Sequence, residues 1–564
     1  MTKDKLKKLV NNLWEYNIDG YIVPKNDDFF SENVRYDRLK LISNFSGSAG
    51  IAVILKNINY LFVDGRYILQ AKKESGKNFN IIEIPKILPK NIFRNIKLGF
   101  DPNLFTKDYL NYFFGKNLLL ISINTNLIDN LGSFNVYKGK PFYSLPKNAA
   151  GKNHVSKIST VANIIRKKSS DYLFISAPEN IAWMLNIRGS DVPFSPIPNC
   201  NCFIDKNKKI FLVCRQKKLN NLLKQKNLNY QIINPKKFEF FVKSLKGKKI
   251  IIDGKTCSIL KENIISKKFK IISNIDPCYI LKSKKNSTEI KNMIKSHIED
   301  GVALTKFLFW MKNKTKAKIT EIEAEKKLEN FRKKNKNYLY PSFNTIAGSG
   351  PNGAIVHYRA SKETNRLIKN KDIFLCDSGG QYKYGTTDVT RTICFSKPSS
   401  RIQKIFTLVL KGHIAVATSN LNKYSAGYKL DIKARKFLKQ HKLDYKHGTG
   451  HGVGYFLNVH EGPQSISKNN RVKLEEGMIM SNEPGYYEKG KFGIRIENLL
   501  YAKKSGKKLV WENLTLAPID KDLINYKLLN KSEKSYLVDY HLTVYKKLSK
   551  FLNPKEKKWL IKNL

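Results

Sequence analysis

Phe374-Leu-Cys-Asp377-Ser-Gly-Gly380 and Gly385-Thr-Thr-Asp388-Val-Thr-Arg391 are the phrases on which the fold of this chain turns. The first is an apolar strand that ends in a carboxylate at a glycine turn. The second sets a carboxylate at the start of another apolar run. Such a pair suits a hairpin that brings Asp377 and Asp388 together at one strand end. Taken alone, both residues can equally be turn formers. Buried together they repel, and one protonates. A pair of divalent cations removes that conflict.

The phrases that follow favour cations. In His447-Gly-Thr-Gly-His451-Gly-Val-Gly454 the glycines permit close backbone approach and forbid a stable helix, so this is not the helical HExxH zinc motif. A further histidine stands in Asn458-Val-His460-Glu-Gly-Pro463, and histidines gathered in Gly-rich loops have little packing value. Glu483 precedes a Pro-Gly turn, which lets its side chain leave a strand end at a fixed angle. In Gly493-Ile-Arg495-Ile-Glu497-Asn498 the alternation predicts a strand with Arg495 and Glu497 on one face, Arg495 orienting a carboxylate and balancing its charge. Asp377, Asp388, His451, Glu483 and Glu497 thus offer four carboxylates and one imidazole, enough for two divalent ions sharing a water. The set suits Mn²⁺ first, with Co²⁺ and Zn²⁺ compatible, and the lack of a cysteine ligand weighs against structural zinc.

Around this segment the chain is large and basic. Its 564 residues exceed what one hydrophobic core supports, so two to four domains are expected. The 103 basic against 46 acidic residues leave a formal charge of +57. Short lysine pairs recur throughout without a dominant block, and no nucleic-acid-reading motif accompanies them, so the charge reads as a solvated lysine-rich surface. No apolar run reaches the ~18 residues of a membrane span, and the start, Met1 to Trp14, reads as an amphipathic helix without a signal-peptide core. Seven cysteines without paired spacing read as buried, reduced thiols of a cytoplasmic protein.

The first half carries a weak repeat. Asp19-Gly-Tyr-Ile-Val-Pro24, Leu41–Ser48 and the strands Ile51–Leu55 and Tyr60–Val63 are echoed by Asp171–Ile175, Ile181–Ser190, Cys202–Ile204 and Ile210–Cys214. Strands alternating with helix-length segments predict two α/β domains of similar plan. Near Lys282 a third segment opens with a helix capped by Asn286 or Ser287. Its stripe is Ile290, Ile294, His297, Gly301, Leu304 and Leu308, with His297 expected to be packed rather than a ligand. After Ser505 the expectation is one strand-like run at Asn513–Ala517, then helices.

These phrases resemble the signature of the pita-bread metallopeptidases, and more specifically the aminopeptidase P (Xaa-Pro aminopeptidase) family in its long, three-domain form. Gly350-Pro-Asn-Gly-Ala-Ile-Val-His357-Tyr and Glu483-Pro-Gly-Tyr-Tyr belong to the match, as do Asp64-Gly-Arg-Tyr67, Ile181-Ala-Trp183 and Glu512-Asn-Leu-Thr-Leu-Ala-Pro518. The resemblance implies an α/β (α+β) chain in which two related N-terminal α/β domains, 1–150 and 151–282, precede a pita-bread catalytic domain, 283–505. A C-terminal extension, 506–564, would dimerise or brace it. Asp377 and Asp388 are then expected to bind metal, Asp388 and Glu497 to bridge both ions, and His451 and Glu483 to hold one ion each. His357, His447 and His460 correspond to substrate-facing histidines, and Phe343 stands where some shorter members carry tyrosine. The implied reaction is hydrolysis of the first peptide bond when proline is second, by a hydroxide shared between the ions. Glu483 would move the proton, and His460 or His357 would meet the oxyanion. A prolidase, a methionine aminopeptidase and a non-catalytic pita-bread binding protein are the alternatives. The expected partners are Xaa-Pro peptides and a second copy of the chain, with neither nucleic acid nor membrane.

Overall fold

The computed structural model describes residues 2–132, 139–223, 230–313 and 318–562, so Met1 of the expected first helix lies outside the described residues. Two compact units emerge, Met1–Leu281 and Lys282–Leu564. The first unit holds two six-stranded sheets. One is built from β1 (Gly20–Pro24), β2 (Ile51–Leu55), β3 (Asn59–Asp64), β4 (Asn80–Ile84), β5 (Lys97–Phe100) and β6 (Leu119–Ser122) in the order β4-β3-β2-β1-β5-β6. The other uses β7 (Tyr172–Ile175), β8 (Asn201–Asp205), β9 (Ile210–Val213), β10 (Tyr230–Ile233), β11 (Lys249–Ile252) and β12 (Lys270–Ser273) in the order β10-β9-β8-β7-β11-β12. Order and direction coincide: the first two pairings in chain order are antiparallel and the outer ones parallel in both sheets. The weak sequence repeat is therefore a repeat of topology.

Both faces of the first sheet are covered, which is why its strands read as continuous apolar runs. Alternation sends Tyr21 and Val23 of β1 into a core with Leu6, Leu9 and Leu13 of the helix Thr2–Glu15. Ile22 joins the opposite core with Leu110 and Phe114. All seven cysteines are buried and none forms a disulfide. Among the described residues no helix is long and apolar enough to cross a membrane.

The second unit opens with the helix Ser287–Asn313. Asn286 caps it by accepting from the Glu289 amide, while the Glu289 carboxylate accepts from the Asn286 amide. On the expected stripe His297 is buried, with Nδ1 2.7 Å from the Met293 carbonyl, so it serves packing. Just upstream, Lys282 and Lys285 are buried against Glu461, Lys282 at 3.2 Å. One antiparallel sheet joins Tyr338–Pro341, Gly380–Tyr382 and Gly385–Thr386, and two more antiparallel sheets and a hairpin carry the other Gly-rich phrases. They are Ile346–Ser349, Ile373–Ser378 and Val389–Cys394; a five-stranded sheet holding Gly450–Gly452, Ile479–Asn482 and Asn498–Ser505; and Gly485–Glu488 paired with Phe492–Arg495.

Two expectations are corrected. The strand in the tail is Lys508–Asn513, and Asn513–Ala517 beyond its first residue is irregular. Side chains replace a ladder there: Tyr540 Oη meets the Ala517 amide and carbonyl, and Thr515 Oγ1 accepts from the Leu499 amide. Nor is Gly493–Asn498 one strand, because the ladder stops after Arg495 and resumes at Asn498. In the gap the Glu497 amide bonds to the Thr390 carbonyl of another sheet.

Candidate metal centre

The strand Ile373–Ser378 pairs with Val389–Cys394 so that Asp377 lies opposite Thr390. Directly opposed residues share a face, and so does Asp388, two positions before Thr390. Three further elements deliver the remaining groups: His451 is the middle residue of Gly450–Gly452, Glu483 follows Ile479–Asn482, and Glu497 sits in the gap before Asn498. Gly450 is required for the approach, since a Cβ there would lie 1.9 Å from the Ser481 carbonyl oxygen.

One ligand atom each from Asp388, His451 and Glu497 lies within 4.8 Å of the other two. His451 Nε2 is 3.4 Å from Asp388 Oδ2 and 3.4 Å from Glu483 Oε1. Its other nitrogen, Nδ1, is 2.8 Å from the Gly452 carbonyl, which fixes the tautomer with Nε2 facing the carboxylates. Burial drives Glu497 well above the usual carboxylate range, and Asp388, Glu483 and Asp377 add to the rise. Asp388 moves up for the same reasons, burial first. Burial opposes charge on His451, yet the Asp388 hydrogen bond and the Glu483 charge outweigh it and lift the imidazole to about 9. Asp377 Oδ1 is buried with no hydrogen-bond partner. Mutually destabilised carboxylates, an orphaned oxygen and an aimed imidazole nitrogen fit divalent cations and little else.

A shell of neutral and cationic donors holds the carboxylates. Arg495 Nη2 donates to Asp377 Oδ2 at 2.6 Å, so the arginine expected to orient a carboxylate orients this one. Thr390 donates to Glu497 Oε2 at 2.8 Å and accepts from Arg495 Nε at 3.1 Å. Ser481 donates to Glu483 Oε1 at 3.0 Å. Tyr487 Oη accepts from Arg495 Nη1 and lies 2.9 Å from His447 Nε2, joining that histidine to Asp377 through one guanidinium. The His460 ring stands 4.2 Å from that of His451. Arg495 Nη2 also reaches the carbonyl of Val356, beside His357, at 3.4 Å. The sequence reading gave no role to Thr390, Ser481 or Tyr487. Thr390 had a signal, a polar residue in strand alternation with Asp388; the other two had only their place in the Gly- and Pro-rich phrases.

Residues 291–504 match the profile of metallopeptidase family M24, and 5–117 and 136–289 each match the creatinase/prolidase N-terminal domain. Residues 507–564 match the C-terminal region of the M24 peptidases. A probable Xaa-Pro aminopeptidase P from Laccaria bicolor is 35% identical over 98% of this chain and 91% of its own length. The chain belongs to metallopeptidase family M24. Within M24 it is also 37% identical to Xaa-Pro aminopeptidase 1 of Dictyostelium discoideum, over 99% of this chain and 95% of that one. The X-prolyl aminopeptidase of Caenorhabditis elegans, described as a cytosolic enzyme with a di-nuclear active site, superposes with a TM-score of 0.93. It is 29% identical and covers 100% of this chain and 99% of its own. A prolidase from Pyrococcus furiosus is 26% identical with a TM-score of 0.50, and the match covers 63% of this chain and 98% of that one. The chain is thus an M24 metallopeptidase with two creatinase-type domains before a pita-bread region, as the resemblance implied.

Proposed function

We propose that this chain is an Xaa-Pro aminopeptidase that removes the N-terminal residue from peptides with proline second. Its two divalent ions would be held by Asp377, Asp388, His451, Glu483 and Glu497. The observation that carries the reading is the convergence of Asp388, His451 and Glu497 within 4.8 Å, with Glu483 beside them and Asp377 anchored by Arg495. Bound there, such ions lower the pKa of a shared water and polarise the scissile carbonyl. The protein's own groups do the rest. Glu483, aimed by Ser481, accepts the proton of the attacking water and passes it to the proline nitrogen. His460, packed against His451, or His357 donates to the oxygen as it becomes anionic. His447, held through Tyr487, faces the peptide. Arg495 holds Asp377 in place.

Manganese is our preferred ion, because a carboxylate-rich set with one imidazole suits it, and Co²⁺ and Zn²⁺ are compatible. A cytoplasmic homodimer completes the proposal; the cytosolic description of the Caenorhabditis elegans enzyme supports the location. We divide the chain into domains 1–150, 151–282 and 283–505 with an extension at 506–564. Similarity over nearly the whole chain to proteins named Xaa-Pro aminopeptidase favours this reading over a dipeptidase. The test is cleavage of an Arg-Pro-Pro peptide beside an Xaa-Pro dipeptide, after chelation and restoration with single metals. Exclusive cleavage of the dipeptide would make the chain a prolidase.

A further inference from the structure

We propose that Glu321 is a positioning residue for His357, acting through the buried loop on which that histidine rides. The proposal rests on the reading of His357 as a substrate-facing group.

Glu321 is the first residue of the helix Glu321–Lys333, after the N-cap Thr320, and is 0% exposed. Its Oε1 accepts from the Ser349 amide at 2.7 Å and from Asn352 Nδ2 at 3.1 Å. Its Oε2 accepts from the Tyr358 hydroxyl at 2.8 Å and from the Arg366 amide at 3.0 Å. Every one of these donors is neutral. They bracket the chain from the end of strand Ile346–Ser349 to Arg366, and Tyr358 is the residue next to His357.

Such an arrangement does more than fill a core. Residues 350–366 form a short 3-10 helix and then irregular chain without a strand ladder, so their polar groups need acceptors from elsewhere. One carboxylate supplies them at the positive end of a helix; burial pushes its pKa up and the four donors pull it back down. On its other side the loop is clamped by the hairpin that carries Arg495. The Val356 carbonyl lies 3.4 Å from Arg495 Nη2, and a Cβ on Gly493 would sit 1.8 Å from the Gly353 carbonyl oxygen. His357 therefore sits on a segment fixed at one side by Glu321 and at the other by the arginine that holds Asp377. A displacement of that segment moves the imidazole, while none of the five expected ligands lies on it.

The test is Glu321→Gln in the full-length enzyme loaded with diamagnetic Zn²⁺, which leaves ¹⁵N-labelled histidine side chains observable where Mn²⁺ would broaden them away. The amide keeps the shape but turns one acceptor into a donor facing donors. kcat per folded, metal-replete molecule is expected to fall roughly ten-fold, with bound metal and KM near wild type. The His357 ring resonances, assigned among nine histidines by their loss in His357→Gln, should shift or broaden. Tyr358→Phe, which deletes one donor, should act in the same direction with a smaller loss; it carries the test if Glu321→Gln fails to fold. Wild-type kcat with unmoved His357 signals, whatever the change in melting temperature, would overturn the positioning role alone. Normal turnover by His357→Gln would instead remove the function read for the histidine itself.

Discussion

Thr390 shows how a single hydroxyl governs the centre. It donates to Glu497 and accepts from Arg495, so the carboxylate and the guanidinium that steadies Asp377 are set by one side chain. Thr390→Val keeps the shape of a buried strand residue and removes both contacts. Divalent-ion affinity, measured by competition with a chelating dye, is expected to drop roughly ten- to a hundred-fold. Stability should fall as well, by about 1–3 kcal/mol for each buried partner left unmet. Glu483→Gln and Asp388→Asn belong to the same scale: each is expected to abolish turnover of an Arg-Pro-Pro peptide in a chain that still folds. Near-normal activity in either would refute the role assigned to it. At this scale the sequence was informative where residue type alone constrains chemistry. Carboxylates and histidines in glycine phrases have few other uses, so the cluster was legible residue by residue. Tyr487 was not, because a tyrosine after a turn is equally at home in a core; only the hairpin pairing of Gly485 with Arg495 brings its hydroxyl to that guanidinium.

Between elements the central piece is Arg391. Its buried guanidinium donates to the carbonyls of Thr390, Glu497, Ala517 and Pro518, to Asn498 Oδ1 and to the Tyr540 hydroxyl. One strand, the gap that bears Glu497, the irregular segment after Asn513 and the helix Lys531–Leu548 meet on it. Arg391→Met would leave several buried acceptors unmet at about 1–3 kcal/mol each, so a loss of several kcal/mol in denaturant unfolding is expected. Tyr540→Phe removes fewer contacts and should cost about 1 kcal/mol. A wild-type midpoint for Arg391→Met would show that the tail is held by other means. The same cluster explains why Asn513–Ala517 misled the sequence reading. Its apolar residues suggested a strand, but periodicity reports burial, not what pairs with the backbone. Here Arg391, Tyr540 and Thr515 take the place of a neighbouring strand. By contrast, the start of the helix Ser287–Asn313 was legible to within one residue, Asn286 or Ser287, and the reciprocal Asn286–Glu289 bonds decide for Asn286.

For the whole molecule the dominant quantity is the formal +57 charge. Many lysines are exposed, so like charges repel across the surface and oppose compactness. Salt screens that repulsion over about 10 Å at 0.1 M. The urea midpoint is therefore expected to rise from 20 to 300 mM sodium chloride, opposite to a protein held together by surface ion pairs. A falling midpoint would mean that pairs such as Lys284–Glu475 and Lys503–Glu512 outweigh the self-repulsion. The duplicated sheet order was foreshadowed by the weak repeat. The strand pairings behind it were not, because hydrogen-bond partners lie far apart along the chain and leave no local trace.

The buried lysines that open the second unit carry a consequence for synthesis. Lys282 and Lys285 leave the ribosome long before Glu461, which lies 176 residues after Lys285. At roughly 5–20 residues per second this is a delay of roughly ten to thirty seconds. Throughout it the two ammonium groups lack their counter-ion and stay in water, so the first helix of the unit waits undocked until Glu461 is made. Nascent chains stalled before residue 461 should be cut readily by protease after Lys282, and those released beyond it should resist.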